Sequence, residues 1–208
     1  MSSVPTSYPN EPEPAWEIAR LYSPQGQWSD GEYLRLTEGT NRLVELTDGH
    51  IEVLAMPTSS HQRILLFLFA HLQSFVSPIK LGEALFASLR VRIRAGKFRE
   101  PDIVFMLAEH HGRVGEEYWE GADLVMEVVS KDPESRRRDL EDKPLDYAEA
   151  GIPEYWIVDP IERQITVLAL DGQRYAEHGK FVPGQQASSR LLDGFAVDVE
   201  SVFQAAKA

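Results

Sequence analysis

With 208 residues and 43% hydrophobic side chains, the chain has material for one globular domain with a real core. A formal net charge of −12 argues against gripping nucleic acid through bulk charge, and the absence of cysteine excludes disulfides and thiolate metal sites. The longest apolar stretch, Ile64 to Ala70, is too short to span a bilayer; with no basic-then-apolar N-terminal signal, a cytoplasmic protein without a membrane partner is expected.

Residues 1–27 hold five prolines, several acids and little apolar periodicity, the composition of a disordered or draped tail. A single folded domain is therefore expected over 28–208. Ser29 and Glu32 have the spacing of a capping box that opens a short helix over Tyr33 to Leu36. Leu43 to Leu46 and Ile51 to Met56 flank Asp48-Gly49, a strong hairpin signal. With those two as the loop, Thr47 faces His50, Leu46 faces Ile51 and Glu45 faces Glu52. Two like charges directly opposed are unfavourable, so this pair needs a solvated face or a cation nearby, and a solvated face suits Glu52. Thr58, Ser59 or Ser60 can cap a helix from His61 to Val76. That helix is apolar nearly all round and should pack on a sheet.

Glu83 to Ile93 reads as one strand, with Arg90, Arg92 and Arg94 alternating to one side, and Gly96 makes a turn. Residues 61–100 carry seven Lys/Arg against two Glu. Such a basic strand suits either phosphate contact or a solvated face. Residues 101–107 and 122–129 read as strands joined by a polar, acidic loop over 108–121. The second strand is apolar and β-branched, as a strand buried on both faces should be, yet it contains Glu127. An unpaired buried carboxylate is costly, so Glu127 requires a cation partner, a metal, or a strand end opening on a cleft. A helix over 134–150, a strand over 154–159, and a hairpin of 164–170 with 173–177 follow. Leu192 to Val199 can add an edge strand, and a helix over 200–206 closes the chain. The pattern is α/β, a mixed central sheet flanked by helices.

The ordered set Glu100-Pro101-Asp102, Glu127 on the next apolar strand, Ser130, then Asp139, Lys143, Tyr147 and Gly151, and a strand Glu154-Tyr155-Trp156-Ile157-Val158-Asp159-Pro160, resembles the Uma-type restriction-endonuclease family. That family is a branch of the PD-(D/E)XK nucleases. The similarity extends upstream through Glu45 to Gly49 and Ser60-His61-Gln62, covering roughly residues 28 to 203. It implies a restriction-endonuclease-like fold with an N-terminal β-hairpin extension, and Mg²⁺- or Mn²⁺-dependent hydrolysis of phosphodiester bonds, in DNA or RNA. Asp102, Glu127 and the Val128 carbonyl would hold the ion, and Lys143 would orient or deprotonate the attacking water. Glu45 falls where the family has an acid near the site, and His61 with Gln62 could face it from a helix start. A homodimer would be the form that cuts both strands.

Two positions depart from the usual pattern. Val129 stands where a Glu-X-Lys motif has its lysine, so the ammonium has to come from Lys143 on the following helix. Pro144 comes directly after it; proline removes a helical N–H bond and disfavours helical angles in the preceding residue. The outcome is a kinked helix, a helix that starts at Pro144, or a Lys143 turned away from the site and paired only with Asp139. The last would favour a non-catalytic binding or assembly module that kept the nuclease fold. A Pro-Asp pair alone is ordinarily a turn, and Glu127 alone could pair with an arginine of the basic strand. Arg136, Arg137 and Arg138, set among acids, read as a solvated face.

Overall fold

The two carboxylate-bearing apolar runs become neighbouring strands at the centre of a six-stranded sheet. The computed structural model describes residues 22–38 and 43–207; most of the proposed tail lies outside them. The elements are α1 (Asp30–Glu38), β1 (Val44–Thr47), β2 (His50–Val53), α2 (Ser59–Val76), β3 (Gly82–Phe86), β4 (Val91–Arg94), β5 (Lys97–Arg99), β6 (Ile103–Leu107), β7 (Trp119–Glu120) and β8 (Leu124–Val128). They continue with α3 (Pro133–Arg137), α4 (Lys143–Glu149), β9 (Glu154–Asp159), β10 (Gln164–Asp171), β11 (Arg174–Phe181), β12 (Gln186–Ser188), β13 (Ala196–Asp198) and α5 (Val199–Ala205).

The central sheet runs β11-β10-β9-β8-β6-β3. Within it β8 and β9 are the one pair that runs parallel, because their connection crosses over through helical residues. One face of this sheet, with Ile103, Phe105, Met126, Val128 and Trp156, packs on α2 and α5. The other, with Val104, Val125, Val129 and Tyr155, packs on Tyr147 and Trp119. The expected α/β architecture, a mixed sheet flanked by helices, is therefore what the chain adopts. Gly82 marks a tight approach on β3: a Cβ there would collide with the Met106 carbonyl oxygen and lie 2.8 Å from the Phe105 ring. Overpacking of this kind costs about 1–3 kcal/mol, so Gly82→Ala should lower the thermal midpoint by several degrees, with an unchanged midpoint counting against the crowding.

The expected hairpin extension is one edge of a second sheet, β2-β1-β5-β4-β7. Its register is the one the Asp48-Gly49 loop dictates, with Glu45 opposite Glu52 and both loop residues at positive φ, as a type I′ turn requires. Tyr33, Val44, Leu46 and Phe98 form a small third core beneath it. Ser29 and Glu32 form the capping box, with Ser29 N–H donating to Glu32 (2.9 Å) and Glu32 N–H to Ser29 Oγ (3.4 Å). Residues expected to belong to the tail reach this sheet as well: the Gln25 amide donates to the Ile51 carbonyl (2.9 Å) and accepts from its N–H (2.7 Å).

Three expectations need correction. Glu83 to Ile93 is not one strand: β3 ends at Phe86 and pairs with β6, while β4 starts at Val91 in the other sheet. The loop 108–121 contains a 3-10 helix over Ala108–Arg113 and the two-residue strand β7. Among the described residues Ala196–Asp198 pairs only with Gln186–Ser188, in a separate ribbon.

Candidate active site

Register brings the acids together. β6 and β8 are antiparallel, with Ile103 opposite Met126; one step further Asp102 comes opposite Glu127, on the same face of the sheet. Both line a cavity of about 230 Å³ with His61, Arg138, Asp139 and Lys143. As with Glu45 and Glu52, a like-charged cross-strand pair needs cations, and each pair has one. The Lys143 ammonium lies 2.7 Å from Glu127 Oε1, 3.1 Å from Asp139 Oδ1 and 3.9 Å from Glu45 Oε1. Glu52, half exposed, is paired with Arg138.

Pro144 is accommodated by a change of helical pitch. Arg138–Asp142 forms a π-helical turn, the Lys143 N–H reaches the Arg138 carbonyl, and α4 restarts with Pro144 in its first turn. Proline's missing N–H falls where helices have no partner for it, and the wide turn keeps the ring off the Leu140 carbonyl. Asp139, Lys143 and Tyr147 share one face; Tyr147 donates to Glu127 Oε1 at 2.6 Å. Val129 is buried in the core, so the ammonium beside Glu127 comes from the helical segment.

Asp102 is held from two sides. Its Oδ2 accepts from the Val128 N–H (2.7 Å) and faces His61 Nε2 (3.1 Å), with His61 in the first turn of α2, whose N-cap Thr58 accepts from the His61 N–H (3.3 Å). Burial opposes the His61 imidazolium, but Asp102 and the Val128 carbonyl outweigh it and raise its pKa. Burial pushes the Glu127 carboxyl up against the opposing pull of Lys143. The Lys143 ammonium also loses solvation, yet Asp139, Glu127 and Glu45 hold its pKa above the ordinary lysine value. Glu45 is fully buried; Lys143 and Arg99 (Nη1 to Oε2, 2.7 Å) outweigh that burial and lower its pKa. Glu100, missed from the sequence as a member of the site, also lines the cavity; burial and then Glu45 push it up to about 7.

The donor set bears on whether a hard cation fits. Asp102 Oδ1 and Glu127 Oε2 make no hydrogen bond among the described residues, each acid being tethered through its other oxygen. Two free carboxylate oxygens beside a main-chain carbonyl suit Mg²⁺ or Mn²⁺, which complete their shell with water. The described residues contain no group of three or more His, Asp or Glu side chains arranged as a metal cage, so water would have to supply the remaining ligands.

The basic strand does not reach the cavity. Arg92 bonds Asp30 (3.2 Å) and Glu120 (3.0 Å), Arg94 bonds Asp48 (2.7 Å) and Glu149 (2.9 Å), and Arg90 donates to the Glu117 carbonyl (3.1 Å). These side chains stabilise the second sheet instead of facing the acids, because the break after Phe86 turns β4 away from the central sheet. Arg138 departs from expectation in the opposite sense. Arg137 pairs at the surface with Asp142 (2.8 Å) and the half-buried Arg136 with the buried Asp159 (2.6 Å), but Arg138 is buried and lines the cavity.

No helix among the described residues is long and apolar enough to cross a membrane. Among curated proteins none matches the chain. A solved structure described as "a putative nuclease belonging to DUF820 from Anabaena variabilis ATCC 29413" superposes with a TM-score of 0.72 at 20% identity, over 86% of this chain and 99% of that one. At that identity the likeness is one of fold. The family model described as "Uma2: Putative restriction endonuclease" matches residues 30–200, and this chain belongs to that family.

Proposed function

We propose that this protein is a Mg²⁺- or Mn²⁺-dependent endonuclease that hydrolyses phosphodiester bonds in DNA. One observation carries the reading: Asp102, Glu127 and Lys143, from three separate elements, line a single cavity. Family membership supports the nuclease class. Asp102, Glu127 and the Val128 carbonyl would hold the ion. When bound, such an ion supplies Lewis-acid polarisation of a phosphoryl oxygen and a lowered pKa for the attacking water.

The chain's own residues do the rest. Lys143, kept protonated by three acids, offsets negative charge that develops on the phosphate and orients water as a donor. In that state it is not a general base, which narrows the role expected for it. Tyr147 fixes the Glu127 carboxylate, and His61 with the Val128 N–H fixes Asp102. The nucleic-acid contact would be local to the cavity, since the basic strand's Arg92 and Arg94 are already paired with acids. Cleavage of both strands takes two such sites, so a homodimer belongs to the same proposal.

A second reading, a non-catalytic binding module, has one observation in its favour: the Lys143 ammonium already neutralises Glu127 and Asp139. Purified protein incubated with supercoiled plasmid and with RNA, with Mg²⁺, Mn²⁺ or chelator, separates the two. Nicking that requires the ion and stops with chelator is expected. Ion binding by calorimetry without cleavage of any substrate would establish the module; neither binding nor cleavage would overturn both metal and nuclease.

A further inference from the structure

Two residues that line the cavity each carry a buried polar atom with no hydrogen-bond partner among the described residues, Glu100 Oε2 and Arg138 Nε. An unsatisfied buried polar atom is expensive, so these two residues are candidates for contact with a ligand. Among them Arg138 is the cation. Its residue is 8% exposed, its Nη2 has only a long 3.3 Å contact to Ser135 Oγ, and its Nη1 is taken by Glu52. Glu52 itself, on β2, has a side chain 42% exposed and lines an adjoining groove with Ser135 and Arg138. The buried guanidinium is thus only partly satisfied, its Nε without a partner and its Nη1 covered by a carboxylate that can swing into solvent.

We propose that Arg138 is the phosphate-binding residue of this site, and that Glu52 occupies its fork as a stand-in for the phosphate until substrate displaces it. A guanidinium fork matches two oxygens of a phosphodiester as well as it matches a carboxylate. Arg138 and Lys143 stand at the two ends of the π-helical turn, so a phosphate held by the first lies in the cavity that the second lines. The ligand's identity as nucleic acid rests on the nuclease reading; the existence of an anion site at Arg138 does not. The shared chemistry is the phosphodiester, of DNA or of RNA.

The test uses the full chain and two substitutions of opposite sign. Binding of labelled DNA and RNA duplexes is followed by anisotropy in Ca²⁺ over a range of salt, with thermal melts as a folding control. Arg138→Gln should weaken binding about 10- to 100-fold and reduce the salt slope by roughly one. Arg138→Lys, which keeps the charge without the fork, should fall between. Glu52→Gln should tighten binding roughly two- to five-fold, the range of a half-exposed pair. The nucleic acid whose binding moves in these opposite directions is the substrate. If both substitutions weaken binding, or neither changes it, the pair is structural and the proposal falls. Should the wild type bind neither nucleic acid, ¹⁵N spectra of the arginine side chains titrated with the dinucleotide dTpdT decide it. A shift of the Arg138 Nε resonance, absent in Arg138→Lys, keeps the anion site while the nuclease reading fails; no shift overturns it.

Discussion

Lys143→Met is expected to unfold at markedly lower urea and to show no nuclease activity, because one ammonium serves both fold and site. Its Nζ lies within 4 Å of Glu127, Asp139 and Glu45, each almost fully buried. Arg99 reaches Glu45 but neither of the other two. Removing one partner of a buried ion pair leaves the other charge stranded and typically costs about 3–5 kcal/mol. With two acids deprived of their closest cation, the upper part of that range applies. Methionine keeps an apolar stem like that of lysine and drops only the ammonium, so the loss would be mainly electrostatic. The double variant Glu127→Gln with Lys143→Met isolates that term: neutralising the acid should recover much of the stability, since residues in one network are non-additive, while cleavage stays absent. A single variant that unfolds like wild type would mean the ammonium is not compensating the acids, and its place in the mechanism would go with it.

How much of this was legible in the sequence depended on the range of the interaction. The Asp48-Gly49 hairpin and its register follow from local rules, and so do the Ser29/Glu32 capping box and the Thr58 cap. The two acid-bearing strands were visible because a carboxylate in a run such as Leu124 to Val128 contradicts its surroundings. What failed was whatever needed non-local information. The apolar run Ala84 to Ala87 leads almost directly into the alternating residues Leu89 to Arg94 across a change of sheet, since such a pattern records which face is buried but not against which partner. Two- and three-residue strands such as Trp119–Glu120 and Gln186–Ser188 are too short to carry a period at all. Arg138 looks the same in sequence as Arg136 and Arg137. Only the π turn, itself a response to Pro144, separates its direction from theirs. The acid pairing of Arg92 and Arg94 draws on Asp30, Asp48, Glu120 and Glu149, none of which is near them in sequence.

Asp102→Asn tests the ion site with little disturbance to the fold. The asparagine carbonyl can still accept the Val128 N–H bond that Asp102 Oδ2 now takes at 2.7 Å, so the β6–β8 contact survives. What it cannot do is present a charged oxygen to a divalent ion. Loss of a group that merely supports a metal ligand costs about 10–100-fold in affinity, so loss of a charged ligand should exceed that range. Mn²⁺ affinity by calorimetry is therefore expected to fall by more than ~100-fold, and plasmid nicking at millimolar Mg²⁺ to fall below detection. Stability without metal should change by no more than about 1 kcal/mol, because the cost of weakening the His61 contact is offset by relief of repulsion from Glu127. This last expectation separates Asp102 from Lys143. If Asp102→Asn were as destabilising as Lys143→Met, the aspartate would be a structural partner of His61 and the Val128 N–H. If it kept wild-type ion affinity, the ion would be held elsewhere, and the convergence of the two acids would reflect packing of β6 against β8 alone.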